Sequence, residues 1–345
     1  MIKLSIMNHI VFCINDNWSM PATVLIESII YYNNQSNFTF HIISNNISNK
    51  SKETFTKLQN NNPNITINFY TIDNSLFDSF PIRKNDHVTI ETYYRFLIPS
   101  LLDESISKVL YLDCDILCTG NVDELFNQDL TNYACGMSPD TRFSDVETYN
   151  RLDYPYENGY FCAGVILLNL DYWRKHNIQT QCIEYLANNG NLCLWHDQDA
   201  INKVLNGKIL YLKPKYDLLQ SFYSVITYNK SLFTKDNIHN LYIKKSLWND
   251  LLEAINEPTF IHFSGKVKPW HKAYYIKPFE TLWKLFFYKS IWPSKKLIKN
   301  PRGIKGKLRI FIKILLNKTK KRIFPEEVYC VEQQLINIYK QKDIK

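Results

Sequence analysis

Apolar runs alternate with helix-like periodic stretches along most of the chain. Short apolar runs rich in β-branched residues, typical of buried strands, lie at residues 10–14, 38–43, 65–72, 108–112, 164–170 and 209–212. Stretches with helical periodicity and helix-start residues lie between them, at 21–32, 48–58, 90–102, 171–186 and from near Asp197. Because strands and helices alternate, we predict an α/β fold with a mainly parallel sheet flanked by helices on both faces.

Composition narrows the class of protein. The chain has 345 residues, 45% hydrophobic and 21% charged, which is typical of a globular protein of one or two domains. Asn8 and His9 interrupt the N-terminal stretch where a signal peptide would be apolar, and no apolar run is long enough to span a membrane. The eight cysteines show no zinc-like spacing. We therefore expect reduced thiols in a cytoplasmic protein.

The net charge of +8 is concentrated near the C terminus. Residues 295–322 contain about a dozen Lys and Arg and no acidic residue. We place a boundary near 277/278, so that residues 1–277 form the main domain and 278–345 a basic aromatic tail. Within the tail, residues 303–322 predict a helix with one apolar and one basic face, preceded by the aromatic residues Trp283, Phe286, Phe287 and Trp292.

A basic amphipathic helix with aromatic anchors is typical of a segment that binds an anionic membrane surface. A solvated helix packed on the body and an RNA-binding helix are the alternatives for this tail. We predict membrane association, and we expect no nucleic acid as a partner.

Two aspartates follow the predicted strand 108–112, in the order Asp113-Cys114-Asp115. Ligands of open α/β sheets bind beyond the carboxyl ends of the strands, and side chains two residues apart on extended backbone point the same way. Two carboxylates can therefore meet one Mg²⁺ or Mn²⁺ ion, with positions left for substrate phosphates. A solvated strand-end turn is one alternative. A haloacid-dehalogenase-type phosphatase is another, but it needs Thr or Ser where this chain has Leu117.

A second cluster follows a short predicted strand that ends at His262. The imidazole of His262 can complete the shell of a transition metal. Gly265 permits close approach of the backbone, and the ammonium of Lys268 suits a diphosphate. A core histidine with two surface lysines is the structural alternative for this cluster.

Other motifs carry less information. Asp197, Gln198 and Asp199 open a predicted helix, where acidic residues are also expected from the helix dipole. Trp18 can stack on a flat base, although a lone tryptophan more often packs against the protein. The chain has neither a G-x-G-x-x-G motif nor a P-loop, which disfavours a nicotinamide dehydrogenase and a P-loop NTPase.

In this order, the motifs resemble the family 8 glycosyltransferases, which are retaining enzymes of the GT-A fold, and especially the bacterial lipopolysaccharide galactosyl- and glucosyltransferases. The resemblance covers residues 8–275 and is carried by IVFCINDNW, HVTIETYYRF, VLYLDCDILCTGNVDELF, GYFCAGVILLNLDYWR, HDQDAIN and IHFSGKVKPWH. It implies a Rossmann-like GT-A fold and Mn²⁺-dependent, or Mg²⁺-dependent, transfer of a hexose. The donor would be UDP-galactose or UDP-glucose, and the acceptor a lipopolysaccharide-type glycolipid or another surface glycan.

The resemblance also implies roles for individual residues. Metal and diphosphate would be bound by Asp113, Asp115 and His262, with Cys114 in the same donor site. Uridine would be bound by Cys13, Asn15, Asn17 and Trp18. The donor sugar or phosphate would contact His87, Thr92 and Arg95, and the diphosphate Gly265 and Lys268. The transferred hexose would lie near Asp140, Asp197 and Gln198, with Gln198 on the reactive face.

Two positions depart from the family pattern. Asn15 stands where the family commonly has Asp, and Cys162 stands in GYFCAG where the family commonly has Asn. The second position usually faces the sugar, so we expect Cys162 to affect the choice of donor or acceptor. The metal and diphosphate residues match the family.

These residues predict a mechanism. A retaining glycosidase uses a carboxylate nucleophile beneath the anomeric carbon, but here the matching residue is Gln198, which is a poor nucleophile. We therefore expect front-face attack by the acceptor. Because the resemblance implies a lipid-like acceptor and the tail is basic, we expect the protein at the inner face of the cytoplasmic membrane. The alternatives are a non-catalytic sugar-nucleotide or glycan-binding relative, a metal-dependent phosphohydrolase and a nucleic-acid-binding adaptor.

Overall fold

The computed structural model describes residues 7–77, 80, 89–223, 247–272, 274, 279–299 and 325–342. His87, which the resemblance assigns to the donor site, lies outside these residues. The predicted amphipathic helix at 303–322 also lies outside them. Free thiols are present at Cys13, Cys114, Cys118, Cys135, Cys162, Cys182 and Cys193. No helix in these ranges is both long and apolar enough to cross a bilayer.

A seven-stranded sheet forms the centre of the molecule, in the order β3-β2-β1-β4-β7-β6-β8. Its strands are β1 Met7–Cys13, β2 Asn37–Ser44, β3 Ile65–Thr71, β4 Lys108–Leu112, β6 Cys135–Pro139, β7 Phe161–Asn169 and β8 Ile209–Tyr211. Only β7 runs antiparallel to its two neighbours, while the other described pairs are parallel. The predicted mainly parallel α/β sheet is therefore confirmed, although β6 was missed.

A smaller sheet of three strands lies beside the end of β4. It consists of β5 Ile116–Cys118, β9 Leu218–Leu219 and β10 Phe260–His262, in the order β5-β10-β9. Strand β10 is antiparallel to β5, with His262 opposite Ile116, and the amide of Phe263 donates to the carbonyl of Asp115 over 2.8 Å. This pairing brings a distant part of the chain against the two aspartates.

The helices cover both faces of the main sheet. They are α1 Ser19–Tyr32, α2 Asn49–Asn60, α3 Ile98–Leu101, α4 Asp123–Phe126, α5 Val146–Leu152, α6 Leu170–Lys175, α7 Ile178–Asn189, α8 His196–Val204, α9 Leu247–Asn256, α10 Glu280–Lys289 and α11 Pro325–Lys342. The predicted helix at 90–102 begins as the 3₁₀ helix Ile90–Leu97 and continues as α3. The predicted helix at 171–186 is two helices, because Asn177 between them has a left-handed φ of 52°.

Hydrophobic side chains form a core on each face of the main sheet and a third cluster beside the small sheet. Helix α10 contributes Trp283, Phe286 and Phe287 to this third cluster, where they are buried, and Trp292 is partly buried against it. The interpretation of these residues as membrane anchors is therefore wrong for the three buried ones. Their rings pack on α1 and the small sheet, and a buried face has the same sequence periodicity as a membrane-facing one.

Candidate active site

A cleft of about 560 Å³ opens at the carboxyl ends of β1 and β4. Of the residues expected from the sequence, the cleft is lined by Cys13, Trp18, Thr92, Arg95, Asp113, Cys114, Asp115, Asp140, Cys162, Asp197, Gln198, His262, Gly265 and Lys268. This position agrees with the rule that open α/β sheets bind ligands beyond the ends of their strands. Asn15 and Asn17 lie outside the lining.

Three potential metal ligands meet at the floor of the cleft. Asp113, Asp115 and His262 each offer one ligating atom, and these atoms lie within 4.8 Å of one another. Asp115 and His262 are buried, whereas the side chain of Asp113 is 31% exposed towards the opening. Carboxylate oxygens suit Mg²⁺ and Mn²⁺, and an imidazole nitrogen favours the transition metal of the two. The donor set therefore fits Mn²⁺ better than Mg²⁺.

The acidic ligands are neutralised by basic groups of the chain itself. Lys268 forms an ion pair with Oδ2 of Asp115, and Nε2 of His262 lies 3.3 Å from its Oδ1. Burial alone would raise the pKa of Asp115, but the charges of Lys268 and His262 outweigh burial and hold it far below its usual range. A cation that binds Asp115 must therefore displace one or both of these partners.

His262 has a second carboxylate behind it. Its Nδ1 lies 2.8 Å from Oδ1 of Asp217, which is fully buried after the 3₁₀ helix Pro214–Tyr216. Burial alone would lower the pKa of His262, but Asp115 and Asp217 together raise it well above its ordinary value. Sequence reasoning missed Asp217, because one acidic residue in the stretch Lys215-Tyr216-Asp217-Leu218 matches no motif.

The absence of a side chain at Gly164 makes room for His262. A Cβ atom at this position of β7 would lie 2.7 Å from Nδ1 of His262 and 3.4 Å from Oδ2 of Asp113. Such a contact with the ring is too short for ordinary packing. Gly164 in the sequence CAGVILL is therefore required by the close approach of the two ligands. Gly265 has a φ of 104°, which favours glycine at the turn after β10.

Arg95 connects the metal ligands to the opposite wall of the cleft. Its Nη2 lies 3.1 Å from Oδ1 of Asp113, and its Nε lies 3.1 Å from Oδ2 of Asp197. The guanidinium also stacks over the ring of Tyr111, at 4.2 Å from the centroid. Burial alone would lower the pKa of Arg95, but the charges of Asp197, Tyr111 and Asp113 outweigh burial and raise it above its usual value. Arg95 is therefore a permanent charge that holds both carboxylates in place.

Asp197 and Gln198 form the opposite wall, at the start of α8. Oδ1 of Asp197 accepts a hydrogen bond of 2.6 Å from the hydroxyl of Thr92, so that both carboxylate oxygens are bound. Oε1 of Gln198 accepts from the amide of Ala163 at 3.0 Å. Its Nε2 donates to Asp140 at 3.3 Å and to the hydroxyl of Tyr160 at 3.1 Å. The Gln198 amide is therefore fixed by contacts on both of its ends.

The rim of the cleft carries a cation and an aromatic ring. Arg142 forms an ion pair of 2.6 Å with Asp140, and its guanidinium lies 3.4 Å from the ring centroid of Trp195. Trp195 is 42% exposed. Sequence reasoning singled out neither Arg142 nor Trp195, although Trp195 directly precedes the HDQD motif. This pair offers a flat surface on which a sugar ring can stack.

The segment after β1 lies on another side of the cleft. Trp18 is partly buried and packs edge-on against Trp270, with 5.7 Å between ring centroids. The side chain of Asn15 accepts a hydrogen bond from the amide of Asn17 and caps the 3₁₀ helix Asp16–Trp18. Burial raises the pKa of the Cys13 thiol, so this cysteine is neutral. The segment therefore presents Trp18 and Cys13 to the cleft, while Asn15 orders the turn.

Most of the chain is similar to known proteins. The chain is 26% identical to a lipopolysaccharide 1,2-glucosyltransferase of Escherichia coli K12, over 86% of this chain and 81% of that protein. It is 28% identical to a lipopolysaccharide 1,3-galactosyltransferase of Salmonella typhimurium, over 76% and 73% of the two chains.

A solved structure has the same fold. The galactosyltransferase LgtC, in complex with donor and acceptor sugar analogues, superposes with a TM-score of 0.71 at 23% identity, over 82% of this chain and 96% of that one. The predicted GT-A fold is therefore confirmed. A family model described as glycosyl transferase family 8 matches residues 9–273, which include every residue that the resemblance assigned to the cleft. The chain belongs to glycosyl transferase family 8.

Proposed function

We propose that this protein transfers galactose or glucose, with retention of anomeric configuration, from a UDP-sugar to a lipopolysaccharide-type or other surface glycan acceptor. One observation carries the proposal: Asp113, Asp115 and His262 converge at the floor of a cleft whose opposite wall holds Asp197 and Gln198. The names of the two relatives, a lipopolysaccharide glucosyltransferase and a lipopolysaccharide galactosyltransferase, support this choice of sugar and acceptor.

The same observation supports Mn²⁺ as the resident metal, held by Asp113, Asp115 and His262. When bound there, a divalent cation stabilises the negative charge that develops on a departing nucleotide diphosphate. Lys268 is engaged with Asp115 and with the carbonyl of Phe263 at 3.0 Å. With Asp115 engaged by a cation, the Lys268 ammonium would be available to a phosphate oxygen, where it would add a second positive charge at the leaving group.

The opposite wall supports front-face attack. A carboxylate nucleophile needs a free oxygen, but both oxygens of Asp197 are bound, one by Thr92 and the other by Arg95. Gln198 has a neutral amide whose oxygen accepts from the backbone of Ala163. We therefore assign to Gln198 a positioning and electrostatic role beside the anomeric carbon. The acceptor hydroxyl attacks from the side of the leaving diphosphate and gives its proton to a phosphate oxygen.

The test is a panel of UDP-sugars mixed with Mn²⁺ and with an oligosaccharide acceptor from a lipopolysaccharide core. We expect UDP release that depends on the acceptor and a product with the α configuration of the donor by nuclear magnetic resonance. Asp115→Ala should abolish release, whereas Asp171→Asn, at an exposed position on α6, should not. UDP binding without turnover would instead indicate a non-catalytic relative. Acceptor-independent cleavage of phosphate esters would indicate a phosphohydrolase.

We further propose that the basic tail holds the protein against an anionic membrane surface, where a glycolipid acceptor would be found. The support is the sequence of residues 303–322, in which Lys305, Arg309 and Lys313 share one face of a predicted helix. Each basic residue near an anionic surface contributes about 1 kcal/mol of attraction. The inner face of the cytoplasmic membrane is the location that this proposal implies.

A further inference from the structure

The imidazole of His262 has two nitrogen atoms that can coordinate a metal, and the proposed Mn²⁺ site uses only one of them. Its Nε2 points to Asp115, at 3.3 Å, while its Nδ1 points to Asp217, at 2.8 Å. On the Nδ1 side lies a separate group of buried side chains that includes a thiol. That group has the composition of a metal site of a different kind.

Cys162, Asp217 and His262 make up this second group. One ligating atom from each residue lies within 4.8 Å of the other two, and all three residues are buried. The Oδ2 atom of Asp217 is completely buried and has no partner of good hydrogen-bond geometry, although the thiol of Cys162 interacts with this carboxylate. A buried carboxylate oxygen without a good partner is uncommon, because it has lost its hydrogen bonds to water and gained none in return. A bound cation would satisfy it.

The group can be reached from the cleft. Cys162 and His262 both line the cleft wall, and Asp217 lies behind them. Thiolate, imidazole and carboxylate are together the donors of a zinc site with three protein ligands and one open position. Hard Mn²⁺ prefers the oxygen-rich set on the other side of the ring. The two sets of donors therefore discriminate between classes of metal.

We propose that Cys162, Asp217 and His262 form a second metal site, for zinc or another thiophilic divalent cation, which shares His262 with the carboxylate site. As the cation binds, the thiol of Cys162 and the Nδ1 of His262 give up their protons, which leave to solvent through the cleft. Cys162 stands where the family commonly has Asn. The amide of Asn would not supply the thiolate ligand, so this site depends on the cysteine.

The test uses Co²⁺ as a spectroscopic probe on the full-length protein after removal of metals by a chelator. A thiolate bound to Co²⁺ gives a charge-transfer band in the near ultraviolet, whereas oxygen and imidazole ligands alone do not. We expect one such band per chain, saturating at one Co²⁺, and its loss on addition of stoichiometric Zn²⁺. The band requires neither donor sugar nor acceptor, so its outcome is independent of the proposed transferase activity.

The matched variants are Cys162→Ala and Cys182→Ala. Cys182 is equally buried, but it lies in the core on α7, away from the cleft. We expect the band to disappear in the first variant and to remain in the second, with Cys162→Ser as a replacement if Cys162→Ala does not fold. Absence of the band in the unmodified protein would overturn the proposal. Its persistence in folded Cys162→Ala would overturn it too.

Discussion

The Nη2 atom of Arg95 lies 3.1 Å from Oδ1 of Asp113, and this ion pair joins the helical segment before α3 to the end of β4. The same guanidinium is bound to Asp197 on the opposite wall. Arg95 therefore fixes the distance between the proposed metal ligands and the proposed sugar site.

Arg95→Met should destabilise the protein, because it leaves the buried Asp197 without its cation. Loss of one partner from a buried pair costs about 3–5 kcal/mol in free energy of unfolding. Because the side chain of Asp113 is 31% exposed, we expect the lower end, about 3 kcal/mol. Urea denaturation measures this, with Lys57→Met at an exposed position on α2 as the control. Equal stability of the two variants would contradict the assigned role.

Mn²⁺ affinity should rise with pH. The charges of Asp115 and Asp217 raise the pKa of His262 well above its ordinary value, so that the imidazole holds a proton near neutrality. A metal at Nε2 must displace this proton, and affinity therefore increases about tenfold per pH unit below the raised pKa. Mn²⁺ titration followed by electron paramagnetic resonance between about pH 6 and pH 8 measures the slope. A flat profile would contradict the prediction.

The contribution of His262 to the stability of the metal-free protein should fall as pH rises, whereas the affinity for Mn²⁺ should increase. A histidine whose pKa is raised by folding contributes stability that is fully present below its unfolded pKa of about 6.5 and is lost as pH rises through the folded pKa. The pKa of Asp115 is depressed, so its contribution is present above about pH 4 and is lost only in strong acid. Thermal denaturation at several pH values measures both contributions. The control variant His176→Ala, at an exposed histidine after α6, should show the same dependence of stability on pH as the unmodified protein.

Gly164→Ala should weaken metal binding without unfolding the protein. The new methyl group would press on the ring of His262 and approach Oδ2 of Asp113, so the ligands must move apart. We expect a loss of about 10–100-fold in Mn²⁺ affinity, the range seen when the support of a metal ligand is disturbed. Gly136→Ala on β6 is the control, since its Cβ would meet the side chain of Leu212, at 3.1 Å from Cγ and both Cδ atoms, and not a proposed metal ligand. Equal Mn²⁺ affinities in the two variants would show that the close approach is unimportant.

Replacement of Lys305, Arg309 and Lys313 by Gln should reduce binding to vesicles that contain anionic lipids. Three charges at about 1 kcal/mol each correspond to a loss of about a hundredfold in partition coefficient. Transfer to a soluble acceptor should stay unchanged, because the cleft is untouched. Vesicle sedimentation measures the first effect and UDP release the second. Unchanged sedimentation would refute the membrane role of the tail.

Sequence reasoning predicted the parts of the fold that depend on local pattern. The apolar runs located most strands of the main sheet, because fully buried strands are almost continuously apolar. Strand β6 was missed because its sequence, CGMSP, contains Gly and Pro, which are uncommon inside strands. The short strands β5 and β9 form through tertiary pairing, and no local signal marks them.

The candidate site was predicted where residue types follow one another in sequence. The two aspartates after β4 and the His262–Lys268 segment were found in this way, but their mutual contacts were not. The pairing of Lys268 with Asp115 and the carboxylate behind His262 depend on β10 meeting β5, which only the three-dimensional structure provides.

The aromatic residues of α10 extend a hydrophobic cluster beyond the residues that the family model matches. That match ends at residue 273, yet the third hydrophobic cluster continues through Trp283 and Phe287 to Tyr339 on α11. Tyr31 on α1 donates to backbone carbonyls of α11, at 3.2 Å and 3.1 Å. A fragment that ends at position 277 would expose hydrophobic side chains of α1 to water, and we expect it to aggregate. We therefore expect the smallest unit that folds to extend beyond the residues that the family model matches.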